Sequence, residues 1–394
     1  MSGTSDPGPE ASVRPDTRRP APVHRWLAEP MERAVANAID RAARFEDVRH
    51  VAVMPDVHVG TDVCIGTAMA TRRLIYPAAV GGDIGCGMLA MAYDVEASAL
   101  RSGAVAGHVL RGLKQTIPGS RRHRRHLLPW PAELDEPLSN AALDAVARDD
   151  GRLQLGTLGG GNHFVELQAD DAAGQLWLMI HSGSRQMGQA VRAHHVAAAL
   201  ATKATKVPSL DADAAAGRAY LHDAAWASRY AKANRRAMAE CVTQVLRDVL
   251  NARPVDGSLI ACDHNHVRHE RHFGEWLWVH RKGAMPADAG LAGVVPGSMG
   301  TCSYHVEGRG CDLALRSSAH GAGRRFSRAA ARERFATSDV RTQLDGVWYD
   351  PRDLPALREE APQAYKDVRA VLRAQAELVK LVRTLRPVLG FKTG

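Results

Sequence analysis

Nowhere in this chain of 394 residues do two cysteines stand at Cys-x-x-Cys spacing, and the six present (Cys64, Cys86, Cys241, Cys262, Cys302, Cys311) form no dense framework. A disulfide scaffold is excluded, and a reducing cytoplasmic interior is the expected setting. No apolar run approaches the roughly 20 residues needed to span a bilayer. The N-terminal residues also lack the apolar stretch of a secretory signal, so a soluble, unexported protein without a membrane partner is expected. The dipeptide Gly-Lys never occurs, which removes the Gly-x-x-x-x-Gly-Lys-Ser/Thr phosphate loop. The Gly-x-Ser-x-Gly nucleophile elbow and the His-Glu-x-x-His zinc helix are missing too. A nucleotide, if bound, must be held by an unusual architecture.

What is present begins with charge. Lys and Arg total 51 against 43 acidic residues, a net +8 carried mostly by arginine, and such a balance favours polyanionic partners. Hydrophobic residues make up 45% of the chain, enough for a sizeable core. The stretch Met1 to about Pro22 is rich in Pro, Ser, Gly, Asp and Arg, so a disordered tail over 1–25 is expected, followed by one domain over 26–394. Helical patterns run from Pro30 to Ala43, around Ala97–Ile117, and through 187–206 and 213–252. In the last, Tyr220, Trp226, Tyr230, Met238, Val242, Val245 and Val249 turn inward. Val51-Ala52-Val53-Met54 reads as a buried strand, and Val368, Val371, Leu372, Leu378, Val379, Val382 and Leu385 recur at helical spacing near the C-terminus. The expected fold is α+β: a single mixed domain with β-sheets framing a central cleft and the long helices packed outside.

The chemistry gathers in short glycine-framed clusters. In Gly81-Gly82-Asp83-Ile84-Gly85-Cys86-Gly87-Met88, flanking glycines let the backbone approach a ligand, and a carboxylate and a thiolate three residues apart can reach one cation. Gly159-Gly160-Gly161-Asn162-His163-Phe164-Val165-Glu166 sets polar groups after glycines whose N–H groups can face an anion. His181 falls at the end of a strand-like run, where sites are commonly assembled. Cys262-Asp263-His264-Asn265-His266, His280-Arg281-Lys282-Gly283-Ala284, Pro296-Gly297-Ser298-Met299-Gly300-Thr301 and His320-Gly321-Ala322-Gly323-Arg324 complete the set. The run Arg121-Arg122-His123-Arg124-Arg125-His126 reads either as a phosphate grip or as a solvated loop.

In order along the chain, Met54-Pro55-Asp56-Val57-His58, Asp83 to Met88, Gly161 to Phe164, His181 to Arg185, His264-Asn265, Arg281 to Ala284, Gly297 to Thr301 and His320 to Arg324 closely resemble the motifs of the RtcB family of RNA-splicing ligases. The resemblance covers nearly everything from about residue 26 onward. It implies a GTP- and manganese-dependent ligase that joins RNA ending in a 3'-phosphate or 2',3'-cyclic phosphate to a 5'-hydroxyl end. By the same resemblance Asp83, Cys86, His163, His181 and His264 would hold two manganese ions, with the cysteine bridging them. His320 would be the nucleophile that carries GMP.

The resemblance further implies that the guanylate is surrounded by Asn162, His163, Phe164, Val165, Glu166, His264, Asn265, Pro296, Gly297, Ser298, Met299, Ser303, His320, Gly321, Ala322, Gly323 and Lys392. Glu166 suits the guanine N1 and N2 edge, because a carboxylate offers two acceptors side by side. Tyr365 reads either as a ring against the base or as a helix-surface tyrosine. The chain departs from the family pattern at Gly82, where valine is usual, at His266, where an aromatic or apolar residue is common, and at Thr393, which separates Lys392 from the final glycine. A ligation-inactive RNA-binding or metal-dependent phosphohydrolase relative, and a purely structural nucleic-acid binder, are the other classes compatible with this composition. A monomer is the expected state.

Overall fold

The computed structural model describes residues 19–202 and 207–393. Residues 1–18 of the expected tail, and the last four positions of the helix expected over 187–206, lie outside the described residues. Val23–Arg25, within the stretch expected to be disordered, is instead a strand parallel to Val51–Val53. It satisfies the backbone groups on the open edge of Val48–His58, which would otherwise lack partners.

Two sheets dominate. One has five strands in the order Val23–Arg25, Val48–His58, Ile65–Thr71, Glu275–Lys282, Asn265–His272. The other has seven, in the order Ala292–Val295, Ser303–Gly308, Val379–Phe391, Phe164–Asp170, Gln175–Ser182, Gly87–Glu96, Ile260–Asp263. Every pairing in the seven-stranded sheet is antiparallel.

Successive side chains on a strand point to opposite faces, and the sequence uses both. Met88, Ala90, Ala92, Trp177 and Met179 of the larger sheet meet Ala52, Met54, Ala68, Ala70, Leu277 and Val279 of the smaller one in a shared core. The opposite face of the larger sheet, with Leu89, Tyr93, Leu167, Leu176, Leu178 and Ile180, is covered by the helices Gly103–Thr116 and Ala215–Leu250. The outer face of the smaller sheet packs Val51, Val53 and Met69 against the helix Arg33–Ala42. Strands buried on both faces read as continuous apolar runs, which is why 176–180 shows no polar alternation. The structure is thus a mixture of helices and sheets, with the helices Gln186–Thr202 and Ala215–Leu250 on the outside.

A second element differs from the sequence expectation. The helical recurrence over 368–385 holds only for Val368–Ala374, after which Val379–Phe391 is a strand. That strand is hydrogen-bonded to Ser303–Gly308 on one side and Phe164–Asp170 on the other, so its burial comes from sheet partners remote in sequence. Val382, part of that recurrence, is 56% exposed. Spacing alone did not distinguish a short helix followed by a β-rich strand from one longer helix.

The helix Ala215–Leu250 is fastened to its neighbours by Asp223, which is fully buried. Its carboxylate accepts from the Ser139 amide at 2.8 Å and hydroxyl at 2.6 Å, and His195 Nε2 lies 2.7 Å away. Burial alone would raise the Asp223 pKa, but the hydrogen bonds from His195 and Ser139 outweigh it and hold the carboxyl below its ordinary value. Asp223→Ala leaves those donors unpaired and should cost about 2–4 kcal/mol, read as a lowered denaturant midpoint. Because the folded value is depressed, the wild-type advantage should be present above about pH 4 and vanish as pH falls through the folded value. Urea titrations at neutral and acidic pH test both statements.

Candidate active site

The chain passes from the larger sheet to the smaller one at His264, the single residue between Ile260–Asp263 and Asn265–His272. Four other polar side chains converge on it. Gly85 adopts φ +73° and lies so close to the helix Ala215–Leu250 that a Cβ would stand 2.7 Å from Ser228 Cα, and this tight turn aims Asp83 and Cys86 inward. His181 ends the strand Gln175–Ser182 on its inner face, and His163 follows the glycine loop.

Cys86 Sγ lies 3.5 Å from His163 Nε2 and 3.3 Å from His181 Nε2. His163 Nε2 is 3.0 Å from Asp83 Oδ2, and His181 Nε2 is 3.4 Å from His264 Nε2. The five residues expected to ligate metal therefore form one contiguous cluster. Ligand atoms of Cys86, His163 and His181 all fall within 4.8 Å of one another.

The tautomers follow from the second nitrogen of each ring. His163 Nδ1 is 3.0 Å from the Leu158 carbonyl and His181 Nδ1 is 3.1 Å from the Asn162 carbonyl. Each Nδ1 carries a proton for its carbonyl, so each Nε2 is the atom that faces the cluster, as metal-bound imidazoles require. Burial drives the pKa values of His181 and His264 well below the ordinary imidazole range, so both rings are neutral. Burial likewise holds the Cys86 thiol up, with the Asp83 charge adding to it. Asp83 stays ionised: burial raises its pKa, but the His163 hydrogen bond lowers it further. Three imidazoles, a thiol and a carboxylate in one cluster fit a transition-metal cation.

Two residues not singled out in the sequence hold this arrangement. The Asn234 carboxamide, fully buried, accepts from the Gly156 amide at 2.7 Å and the Thr157 amide at 3.1 Å. It also donates to Ser182 Oγ at 3.1 Å and the Gly183 carbonyl at 3.2 Å. Arg235 Nη1 donates to the Gly85 and Ser182 carbonyls, both at 2.8 Å. The signal was available: Trp226, Tyr230, Asn234 and Met238 occupy one stripe at four-residue spacing, so an amide sits on an apolar face.

His320 follows the short strand Ser317–Ala319 and lies beside His264, with ring centroids 4.5 Å apart and the rings tilted by 56°. Its Nδ1 lies 2.7 Å from Oδ2 of Asp56, a fully buried carboxylate that also accepts from the His320 amide at 3.2 Å. Asp56 lay inside a quoted motif but had no assigned role. Nδ1 therefore faces the Asp56 carboxylate, and Nε2 is the ring nitrogen not turned toward it.

A cavity of about 780 Å³ joins these groups. Its wall includes Asn162, Phe164, Glu166, Asn265, Pro296, Gly297, Ser298, Met299, Ser303, Gly321, Ala322, Gly323 and Lys392 along with Asp83, Cys86, His181, His264 and His320. Neither His163 nor Val165, both expected around the guanylate, is among its wall residues. Strand alternation sends Phe164 and Glu166 inward and buries Val165 among the helix-facing residues. Tyr365 is in the cavity wall rather than on a helix surface, with its hydroxyl donating to Glu360 and Arg324 4.9 Å above its ring. Lys392 pairs with Glu360 at 3.4 Å, and Thr393 donates to the Gly159 carbonyl at 2.8 Å, which fastens the end of the chain to the glycine loop. Burial pushes the Glu166 pKa up to about 8, against the pull of Gln168 and Lys392.

The basic run is outside the cavity. Arg122 is buried and donates to the carbonyls of Thr116, Leu155 and Gly156, Arg121 pairs with Asp150, and the other four residues are exposed. Gly82 tolerates the family's larger residue, since a Cβ there would meet Gln189 and Arg192 at ordinary contact distance. His266 is buried beside Arg281 and Asp263, and burial lowers its pKa to about 3 despite the nearby carboxylate.

A thiol held up by burial must lose its proton to a bound cation. Cobalt(II) added to the purified protein should produce thiolate charge-transfer absorption, release protons and bind more tightly as pH rises. Cys86→Ser should remove that absorption. Gly183→Ala should weaken binding at least 10-fold with the fold retained, because its Cβ would come within 2.1 Å of Asp83 Oδ1.

The sequence profile of the family described as "tRNA-splicing ligase RtcB" matches residues 38–149 and 136–393. The protein described as RNA-splicing ligase RtcB of Escherichia coli (strain K12) is 35% identical over 408 residues, covering 95% of this chain and 98% of its own. The tRNA-splicing ligase RtcB of Archaeoglobus fulgidus is 30% identical over 470 residues, covering 97% and 96%. The RNA-splicing ligase RtcB of Mycobacterium tuberculosis is 30% identical over 420 residues, covering 86% and 96%. With the clustered motifs and near end-to-end similarity together, the chain belongs to the RtcB family.

Proposed function

We propose that this enzyme is an RNA ligase that uses GTP and manganese to join a 3'-phosphate or 2',3'-cyclic phosphate end of RNA to a 5'-hydroxyl end. The observation that carries the reading is His320: an imidazole backed by a buried carboxylate, beside the thiol and histidine cluster, on the wall of one large cavity. Asp83, Cys86, His163, His181 and His264 would hold two manganese ions, with Cys86 shared. Bound there, the ions would neutralise charge on phosphoryl oxygens.

His320 Nε2 attacks the α-phosphorus of GTP, forming a P–N bond as the bond to the bridging oxygen breaks and pyrophosphate leaves. Asp56 holds the Nδ1 proton and stabilises the positive charge that develops on the ring. The RNA 3'-phosphate oxygen then displaces His320 from the guanylyl phosphorus, giving an RNA–GMP anhydride. The 5'-hydroxyl attacks the 3'-phosphorus, its proton is released, and GMP departs. Throughout, Glu166 accepts from the guanine N1 and N2 hydrogens, and Lys392 lies close enough to favour its ionised form. Gly321 and Gly323 line the cavity, and Gly323 at φ +74° packs against the Asp56 backbone, where a Cβ would stand 2.3 Å from its carbonyl.

Incubation with α-labelled GTP and manganese should leave acid-labile label on the wild type and none on His320→Ala. Asp56→Asn should retain metal content but label at least 100-fold more slowly, since the ring loses its orienting charge. Failure of the wild type to label under these conditions would sink the ligase reading at its first step.

Glu166 supplies a pH signature. Below about pH 8 the empty site holds this carboxyl protonated, and accepting two guanine hydrogens requires its proton to leave. GTP affinity should therefore rise with pH from 6.5 toward 8, by at most about tenfold per unit, and level off above. Glu166→Gln should bind more weakly and without that slope, measured by equilibrium dialysis of GTP.

A further inference from the structure

The metal-linked strand does not stop at the cavity. From Asn265, next to His264, it runs outward to His272, turns through Phe273 and Gly274, and returns along Glu275–Lys282 to the cavity wall. Arg271 is thus about 20 Å from Asn265 at strand rise. The tip carries the most exposed tryptophan among the described residues: Trp276 is 60% accessible.

Register puts four side chains of this hairpin on one face. His269 is directly opposite Trp278, and Arg271 is opposite Trp276. The His269 ring stacks on Trp278 at 4.5 Å and 23°, and its centroid is 5.1 Å from that of Trp276 at 33°. Trp278 is anchored against the helical core, so the rings step from a fixed base out to a solvent-facing surface. The turn is rigid as well. Phe273 has φ +51° and Gly274 φ +82°, as a two-residue primed turn requires, and Phe273 is held in this uncommon conformation by stacking on His50 at 4.0 Å.

Charge at the tip has one sign to spare. Glu275 pairs with Arg72 at 2.8 Å, Glu270 with the buried Arg281 at 2.6 Å, and Asp263 with Arg268 at 2.7 Å. Among the described residues Arg271 has no ion-pair partner at all. A rigid indole beside an unpaired guanidinium, on a strand that leads to the reacting centre, has the chemistry that holds single-stranded nucleic acid: a π-face for a base and a cation for its phosphate.

We infer that the tip of this hairpin is a stacking platform for a single-stranded segment of the RNA substrate. The inference rests on the ligase reading above. At the stacked spacing of about 3.4 Å per nucleotide, the base on Trp276 is roughly six nucleotides from the joining point. The platform is sequence-tolerant, because every base offers a π-face.

Binding is measured with the full chain and a uridylate dodecamer, without GTP or added metal. The dodecamer should quench tryptophan emission, and Trp276→Ala should bind it about 5- to 100-fold more weakly than wild type. Trp276→Phe, which keeps an aromatic face, should fall between them and controls for folding. Arg271→Ala should reduce the slope of log affinity against log salt by about one. Dodecamer affinity unchanged in both Trp276 variants overturns the platform. So does an effect of Trp276→Ala confined to sedimentation behaviour, which would make the face a protein contact. Self-labelling of the wild type by α-labelled GTP needs no RNA and reports the ligase reading separately: wild-type label together with dodecamer affinity that does not depend on Trp276 removes only the platform.

Discussion

The site depends on one buried carboxamide. Asn234 is in the middle of a 36-residue helix, on the face that packs against the larger sheet, and it joins two loops distant in sequence. Its oxygen takes the amides of Gly156 and Thr157, and its nitrogen takes Ser182 and Gly183. Those contacts fix where the glycine loop meets the end of the strand Gln175–Ser182. The Leu158 carbonyl then receives both the Ser182 hydroxyl at 2.8 Å and His163 Nδ1 at 3.0 Å. A helix residue that touches no ligand thereby sets the tautomer and direction of a metal-facing imidazole. Its contacts with five backbone or hydroxyl groups, the Thr157 carbonyl at 3.2 Å among them, make it sensitive to substitution, because each group left unpaired in the interior costs about 1–3 kcal/mol.

How much of this was legible in the sequence follows from what kind of information each residue carries. Asp83, Cys86 and His163 stand in motifs framed by glycines at positive φ (Gly81, Gly85 and Gly161), which leave a visible mark, whereas His181 was marked only by its strand end and the full set of five, His264 included, only by the family resemblance. The long helices were readable from periodicity. Val379–Phe391 was not, because its partners lie some 75 and 215 residues earlier and nothing local reveals them. Val165 was carried along with its motif, although the strand's own alternation places it on the opposite face from Phe164 and Glu166. Asp56 escaped for a different reason. Its role exists only through contact with His320, and a separation of 264 positions hides such a pair from any spacing argument.

The departures from the family pattern turn out to be unequal. Gly82 leaves room for a Cβ at ordinary contact distance from Gln189 and Arg192, and Thr393 adds a hydrogen bond to the glycine loop while Lys392 keeps its place in the cavity wall. His266 is different in kind. It puts a polar ring where its neighbours are Arg281 and Asp263, and burial keeps that ring neutral so that it can accept from the guanidinium. Arg281 in turn reaches Glu270 and the Leu315 carbonyl, so the replacement extends a polar network beneath the hairpin that leaves the site.

Arg235 shows how the fold accommodates a cation in its interior. Its guanidinium is buried, and among the described residues no carboxylate lies within ion-pair distance of it. Two carbonyls satisfy Nη1, but carbonyls do not balance a charge. Burial lowers the Arg235 pKa, and the groups opposing that effect are Cys86, Asp263, Cys262 and Asp83, in that order. Two of these are expected metal ligands, and Cys86 contributes most when it is a thiolate. The same cation lowers the Cys86 pKa against the effects of burial and of Asp83. The helix charge and the ionised site therefore stabilise each other. A protein with Cys86 protonated leaves Arg235 less well compensated, and deprotonation of the thiol relieves both groups at once. The long helix is for this reason part of the site's electrostatics, and its packing outside the sheet is the means by which that charge is delivered.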